Sequence, residues 1–145
     1  MSKEEKQLLL KDLSARLTYG VKVDLFGQSK ELIGVLNDII SVGYDINDYE
    51  DAPIEDIKPY LRPISSMTVE EKRELMNTTQ YDTCYKDDGI DCIYQHILGW
   101  EIQGRITIHN VGYSTIDWLN EHHFDYRGLI EKGLALEAPE DMYKF

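Results

Sequence analysis

Two adjacent histidines, His122 and His123, stand in WLNEHHFDYRGLIEKG with Glu121 and Asp125 beside them and Arg127 just beyond. Imidazole and carboxylate are donors that Zn²⁺ or Mn²⁺ accepts, so a metal site is the first chemistry to consider here. The spacing opposes it. Neighbouring residues of a regular helix point about 100° apart, so both rings cannot face one ion unless the chain bends between them. The plainer reading packs one histidine under a corner beside Phe124 and leaves the other exposed or capping carbonyls. A second donor set, Cys84, Cys92 and His96 closed by His109, matches no common zinc spacing, and DTCYKDDGID lacks the ligand order of a calcium loop. The G-x-S-x-G, Walker-type and G-x-G-x-x-G patterns do not occur, so neither a serine nucleophile nor a phosphate loop announces itself, and no cofactor is expected. Carboxylates are so numerous that naming any two as acid and base carries no information.

Aromatic and guanidinium groups make a better case for binding. Tyr60, Arg62, Trp100, Arg105, Tyr113, Trp118, Tyr126 and Arg127 supply stacking planes and phosphate-pairing forks, which would suit a nucleotide. With His109, His122 and His123, most of these form the candidate ligand set. The competing reading puts Trp100 and Trp118 in a core, lets Tyr60 seal a small barrel, and pairs Arg127 with Asp125 or Glu131 on one helix.

The balance of charges narrows the partners. The 145 residues carry a formal net charge of −12, which opposes direct binding to DNA or RNA and suits a basic partner surface or mimicry of nucleic acid. With 42% apolar residues the chain can build a core. Apolar runs of membrane-spanning length are missing, and MSKEEKQLLLKDL has no signal-peptide core, so no membrane partner is expected and the expected location is the cytoplasm. Two cysteines are too few for a disulfide scaffold.

The elements that must position these groups can be read in order. Ser2 and Glu5 form a capping box, and Leu9, Leu10, Leu13 and Leu17 repeat at helical spacing, so residues 3–17 are an amphipathic helix. VKVDLF alternates as a strand and is followed by a turn at Gly27-Gln28-Ser29. ELIGVL and IISVGY are two more strands around an Asn37-Asp38 turn. Residues 45–56 are rich in Asp and Glu and read as a solvated loop, after which PIEDIKPYLRP makes a helical turn into a final strand. This series predicts a small SH3-like β-barrel. Thr68 and Glu71 make a second capping box for VEEKRELM, a linker or lid. Beyond it come a loop through Cys84 and Cys92, a short helix CIYQHIL and a strand or hairpin in WEIQGRITIH. Ser114 caps a helix TIDWLNEHH, HHFD turns a corner, and Asp125 caps a last helix, YRGLIEK, which Gly133 ends. The expected fold is therefore α+β: an N-terminal helix and SH3-like barrel over 1–63, a linker helix over 64–78, and a mainly helical region over 79–145 with a short strand or hairpin.

Three phrases carry a resemblance. KEEKQLLLKDLSARLTYGVKV, PIEDIKPYLRPISSMTVEEK and WLNEHHFDYRGLIEKGLALEAPEDMY together resemble a family of small proteins from gut Bacteroidales, their phages and prophages. The resemblance implies a mobile-element setting and an accessory or counter-defence role, and it supplies no mechanism. The leading expectation is a non-enzymatic protein that sequesters a small nucleotide immune signal or masks a host defence protein. Two alternatives stay open: a metal-assisted nucleotide hydrolase using His109, His122, His123 and Asp125, and a structural or regulatory protein that contacts other phage proteins. The sequence does not decide whether the chain forms a homo-oligomer.

Overall fold

Ser2 starts the first helix as its spacing predicts: its Oγ accepts from the Glu5 N–H at 3.1 Å, and the Glu5 carboxylate accepts from the Ser2 N–H at 3.0 Å. Helix α1 runs Lys3–Arg16 and leaves through a 3-10 turn, Leu17–Tyr19, into Gly20 at φ 72°, a left-handed position that glycine adopts at no steric cost. The buried positions of α1 are Leu9, Asp12, Leu13 and Arg16, the i, i+3, i+4, i+7 series of one helix face. Two of those four are charged, so the apolar stripe expected from the leucines is only half of the inward face. Asp12 and Arg16 are fully buried and paired at 2.9 Å.

The computed structural model describes residues 1–78 and 113–143. They fall into two units, Met1–Leu61 with Leu129–Phe145, and Arg62–Gly128. The expected loop after Thr78, the helix CIYQHIL and the strand or hairpin in WEIQGRITIH lie outside the described residues, as do Trp100, Arg105 and His109.

The first unit is α1 and a sheet. Its strands are β1 (Lys22–Leu25), β2 (Gln28–Leu36), β3 (Ile39–Asp45), β4 (Asp48–Pro53), β5 (Ile57–Leu61) and β6 (Leu136–Glu137), in the spatial order β4-β3-β2-β1-β5-β6. All neighbours are antiparallel except β5 and β6. The first hairpin turns at Phe26-Gly27, one residue earlier than the spacing suggested; φ values of 52° and 84° with Leu25 opposite Gln28 fit a type I′ turn. Asn37, at φ 53°, turns the second hairpin as expected.

The sheet is open, so a closed barrel is not formed. β5 carries β6 on the side away from β1, and β4 ends the order at the other edge. Of residues 45–56, marked as a loop by their acidic composition, Asp48–Pro53 form β4. It escaped detection because an edge strand exposed on both faces shows no apolar alternation: of its six residues only Ala52 is buried. Gly43 makes the β3–β4 pairing possible. A Cβ there would lie 2.2 Å from the Asp48 carbonyl oxygen and 2.5 Å from the Tyr49 Cα.

One face of the sheet, α1 and the returning C-terminal chain share a core containing Leu9, Leu13, Val23, Leu32, Ile40, Val42, Ile57, Leu129 and Leu134. The Tyr143 hydroxyl fastens the return: it donates to the Tyr60 carbonyl at 2.8 Å and accepts from the Lys22 N–H at 2.8 Å, joining β5 to β1. Burial pushes the phenol well above its ordinary range, so it stays a donor.

The second unit contains a 3-10 turn, Ile64–Ser66, and helices α2 (Val69–Thr78) and α3 (Tyr113–Glu121). Thr68 and Glu71 form the expected capping box, with backbone N–H bonds of 3.0 and 3.2 Å. The Thr78 and Thr115 hydroxyls meet at 3.0 Å, so α2 packs on α3 inside this unit. Helix α3 covers most of the expected TIDWLNEHH but starts at Tyr113 and ends at Glu121, so Ser114 lies within it and does not cap it, while YRGLIEK forms no helix. Asp125 donates its N–H to the Arg62 carbonyl at 2.8 Å, the Arg62 N–H reaches the His123 carbonyl at 2.8 Å, and Gly128 turns to φ 73°. A main-chain bridge to Arg62 thus takes the residue that was to start a helix, and turns lead from there into β6. The expected pair of terminal helices is one helix followed by irregular chain.

Candidate functional site

The HHFD corner is held by α3 on one side and Arg62 on the other. His123 takes φ 63°, a conformation costly for a residue with a Cβ, and is buried. His122 stacks on Trp118 with ring centroids 4.0 Å apart, and its Nδ1 lies 3.0 Å from the Trp118 carbonyl oxygen. Trp118 also lies parallel to Phe124 at 5.8 Å and donates its indole N–H to the Glu74 carboxylate at 3.3 Å. The same carboxylate is 3.6 Å from the His122 Nε2.

Arg62 closes this cluster. Its guanidinium lies 4.2 Å above the Phe124 ring, donates to the His122 carbonyl at 3.3 Å, and grips both Glu71 carboxylate oxygens at 2.7 Å. Burial pushes the Glu71 carboxyl up, but the Arg62 fork and the Thr68 N–H outweigh it and hold the group below its ordinary value of 4.5. Glu71 therefore caps α2 and anchors the arginine at once. Further along, the Tyr126 hydroxyl donates to Asn120 Oδ1 at 2.7 Å, and Arg127 lies 4.9 Å over the Tyr126 ring with one N–H on its hydroxyl.

The second unit thus brings together four of the sequence candidates, Arg62, Trp118, His122 and His123, with Arg127 on the adjoining Tyr126. Tyr113 is apart, 88% exposed at the start of α3. Tyr60 belongs to the first unit, where its hydroxyl donates to Asp24 at 3.3 Å. Burial first, then the Asp24 charge, raise that phenol above its ordinary value. Glu71 and Glu74, which organise the cluster, were missed as site residues. Their i, i+3 spacing on a capped helix was the signal that could have found them. The Arg62 fork is committed to Glu71. Among the described residues, His, Cys, Asp and Glu form no group of three that could hold a metal ion.

The first unit presents a different surface. Asp45, Asp48, Glu50 and Asp51 are exposed on the β3–β4 hairpin, interleaved with Tyr44, Ile46 and Tyr49, which are 73%, 77% and 51% exposed. Asp45 accepts from the Asn47 N–H at 2.7 Å, and Ser41 donates to Asp51 at 2.5 Å, so the hairpin is internally braced. Glu50 reaches Lys30 on β2 at 3.2 Å. A shallow hollow of about 270 Å³ beside it is lined by Lys22, Ser29, Lys30, Glu31, Gly43 and Tyr44, with charges of both signs.

Fold and sites define an α+β protein with a self-partnered aromatic and ion-pair cluster in one unit and an acidic edge hairpin in the other. Comparison with known proteins finds no family model, no curated protein and no solved structure that matches the chain. Among the described residues no helix is long and apolar enough to cross a membrane.

Proposed function

We propose that the protein acts by binding, its acidic β3–β4 hairpin covering a basic surface on another protein. The observation that carries this reading is the hairpin itself: four exposed carboxylates interleaved with three exposed large apolar side chains on a braced support. Charge steers the encounter with a basic partner, and the aromatic and aliphatic groups supply contact area once the surfaces meet. The phage or prophage setting implied by the sequence resemblance makes that partner a host defence protein in the bacterial cytoplasm, and the role an accessory, counter-defence one. The strand order β4-β3-β2-β1-β5, with a 3-10 turn at Ile54–Asp56 before β5, supports reading the first unit as an opened SH3-like barrel. Nucleotide sequestration is the weaker branch, because the Arg62 guanidinium would have to leave Glu71 to hold a phosphate.

The test compares the wild-type chain with Asp48→Lys/Glu50→Lys, checked for an unchanged circular-dichroism spectrum, in affinity capture from host lysate followed by calorimetry on the purified partner. The expected result is a partner with a basic face whose affinity falls at least about tenfold for the variant and weakens with salt. Unchanged affinity for the variant, or stoichiometric binding of a cyclic nucleotide in a thermal-shift panel, overturns the proposal.

A further inference from the structure

We infer that β4 is a docking edge at which an extended, lysine- or arginine-rich segment of a partner adds to the sheet as another strand. This deepens, and rests on, the reading of the acidic hairpin as a binding surface.

β4 pairs with β3 from Asp48 to Pro53 and ends the sheet on that side. In an antiparallel pair, alternate residues direct N–H and C=O toward the neighbour and the others direct them away. Among the described residues no strand takes the outward set. An edge of this kind templates another strand unless its side chains forbid it. Here the side chains choose the occupant. Asp48 and Glu50 point to one face of the sheet, and Tyr49 and Asp51 to the other, by the two-residue alternation of a strand. Acid therefore flanks the open edge on both faces. A second copy of this chain would set Asp48, Glu50 and Asp51 against the same acids, and like charges across a strand pair oppose pairing. A basic strand with alternating lysine and apolar residues meets Asp48 and Glu50 with its lysines on one face and lays apolar residues on Tyr49, which is half exposed, on the other. Asp48–Ala52 offers five residues, about 17 Å of edge, before Pro53 ends the strand.

The experiment uses the full ¹⁵N-labelled chain and the blocked peptide Lys-Val-Lys-Val-Lys-Val-Lys, with a version in which every backbone N–H is methylated as the charge-matched control. The inference expects amide shifts centred on Asp48–Ala52, slowed hydrogen exchange at alternate β4 amides, and affinity at least about tenfold weaker for the methylated peptide, because methylation removes the donors that strand addition requires. Equal binding of the two peptides overturns strand addition and leaves the acidic surface reading standing. Shifts that map elsewhere, or no binding of either peptide, overturn the docking edge, while lysate capture by the hairpin judges the surface reading separately. Loss of binding of the unmethylated peptide in Asp48→Lys/Glu50→Lys supports the charge complementarity on which the choice of occupant rests.

Discussion

Arg16 and Arg62 show how one residue type acquires opposite visibility. Arg62 attracts notice because it sits between Leu61 and Pro63 with aromatic residues nearby, and its fork does meet an aromatic ring and a carboxylate. Arg16 looks like the basic residue that ends a helix, yet its side chain is fully buried with Asp12. Removing one member of such a pair leaves the other charge buried. Arg16→Met should lower unfolding free energy by about 3–5 kcal/mol, while Asp12→Leu/Arg16→Met should return to near wild type in urea denaturation. Glu71 makes a pH prediction. Its folded-state carboxyl titrates below the ordinary 4.5, so its contribution is complete above that value and is lost as pH falls through the lower folded value. Melting temperature should therefore drop as the medium is acidified below 4.5. Glu71→Gln can keep the cap but cannot form the charged fork, and should flatten this dependence while costing about 1.5–3 kcal/mol at neutral pH.

Elements with local signals were the legible ones. α1 and α2 have capping boxes, β1 alternates, and β2 and β3 flank the Asn37 turn; all five form close to where the sequence places them, with β2 starting earlier, at Gln28, in the expected turn. β4 and the YRGLIEK segment failed for two different reasons. β4 is specified by its neighbour: Gly43 lets the Asp48–Tyr49 backbone approach β3, and nothing within DYEDAP advertises a strand. YRGLIEK carries a plausible cap and stop, but the main-chain bridge between Arg62 and residues 123–125 takes the capping residue for tertiary pairing. Gly43→Ala should consequently cost about 1–3 kcal/mol, by overpacking against backbone that has to shift. Hydrogen exchange should quicken first at the β3–β4 amides; uniform quickening across the sheet would instead indicate global loss of stability.

At the scale of the whole molecule, the net charge of −12 is concentrated in part on the exposed hairpin of the first unit. Association with a basic protein should slow as ionic strength rises, whereas dissociation should change less; stopped-flow rates measured from about 0.05 to 0.3 M salt would check this. Composition, caps and periodicity by themselves determined an acidic α+β chain with an N-terminal helix, a strand meander and a capped second helix, because those signals act over a few residues. Only the tertiary structure decided that the sheet stays open, that residues 129–143 return to the first unit through Tyr143, and that the acidic stretch is an edge strand. The physical reason is common to these: each depends on partners outside the segment itself, whose main-chain pairing and burial outweigh the local preferences that a segment displays.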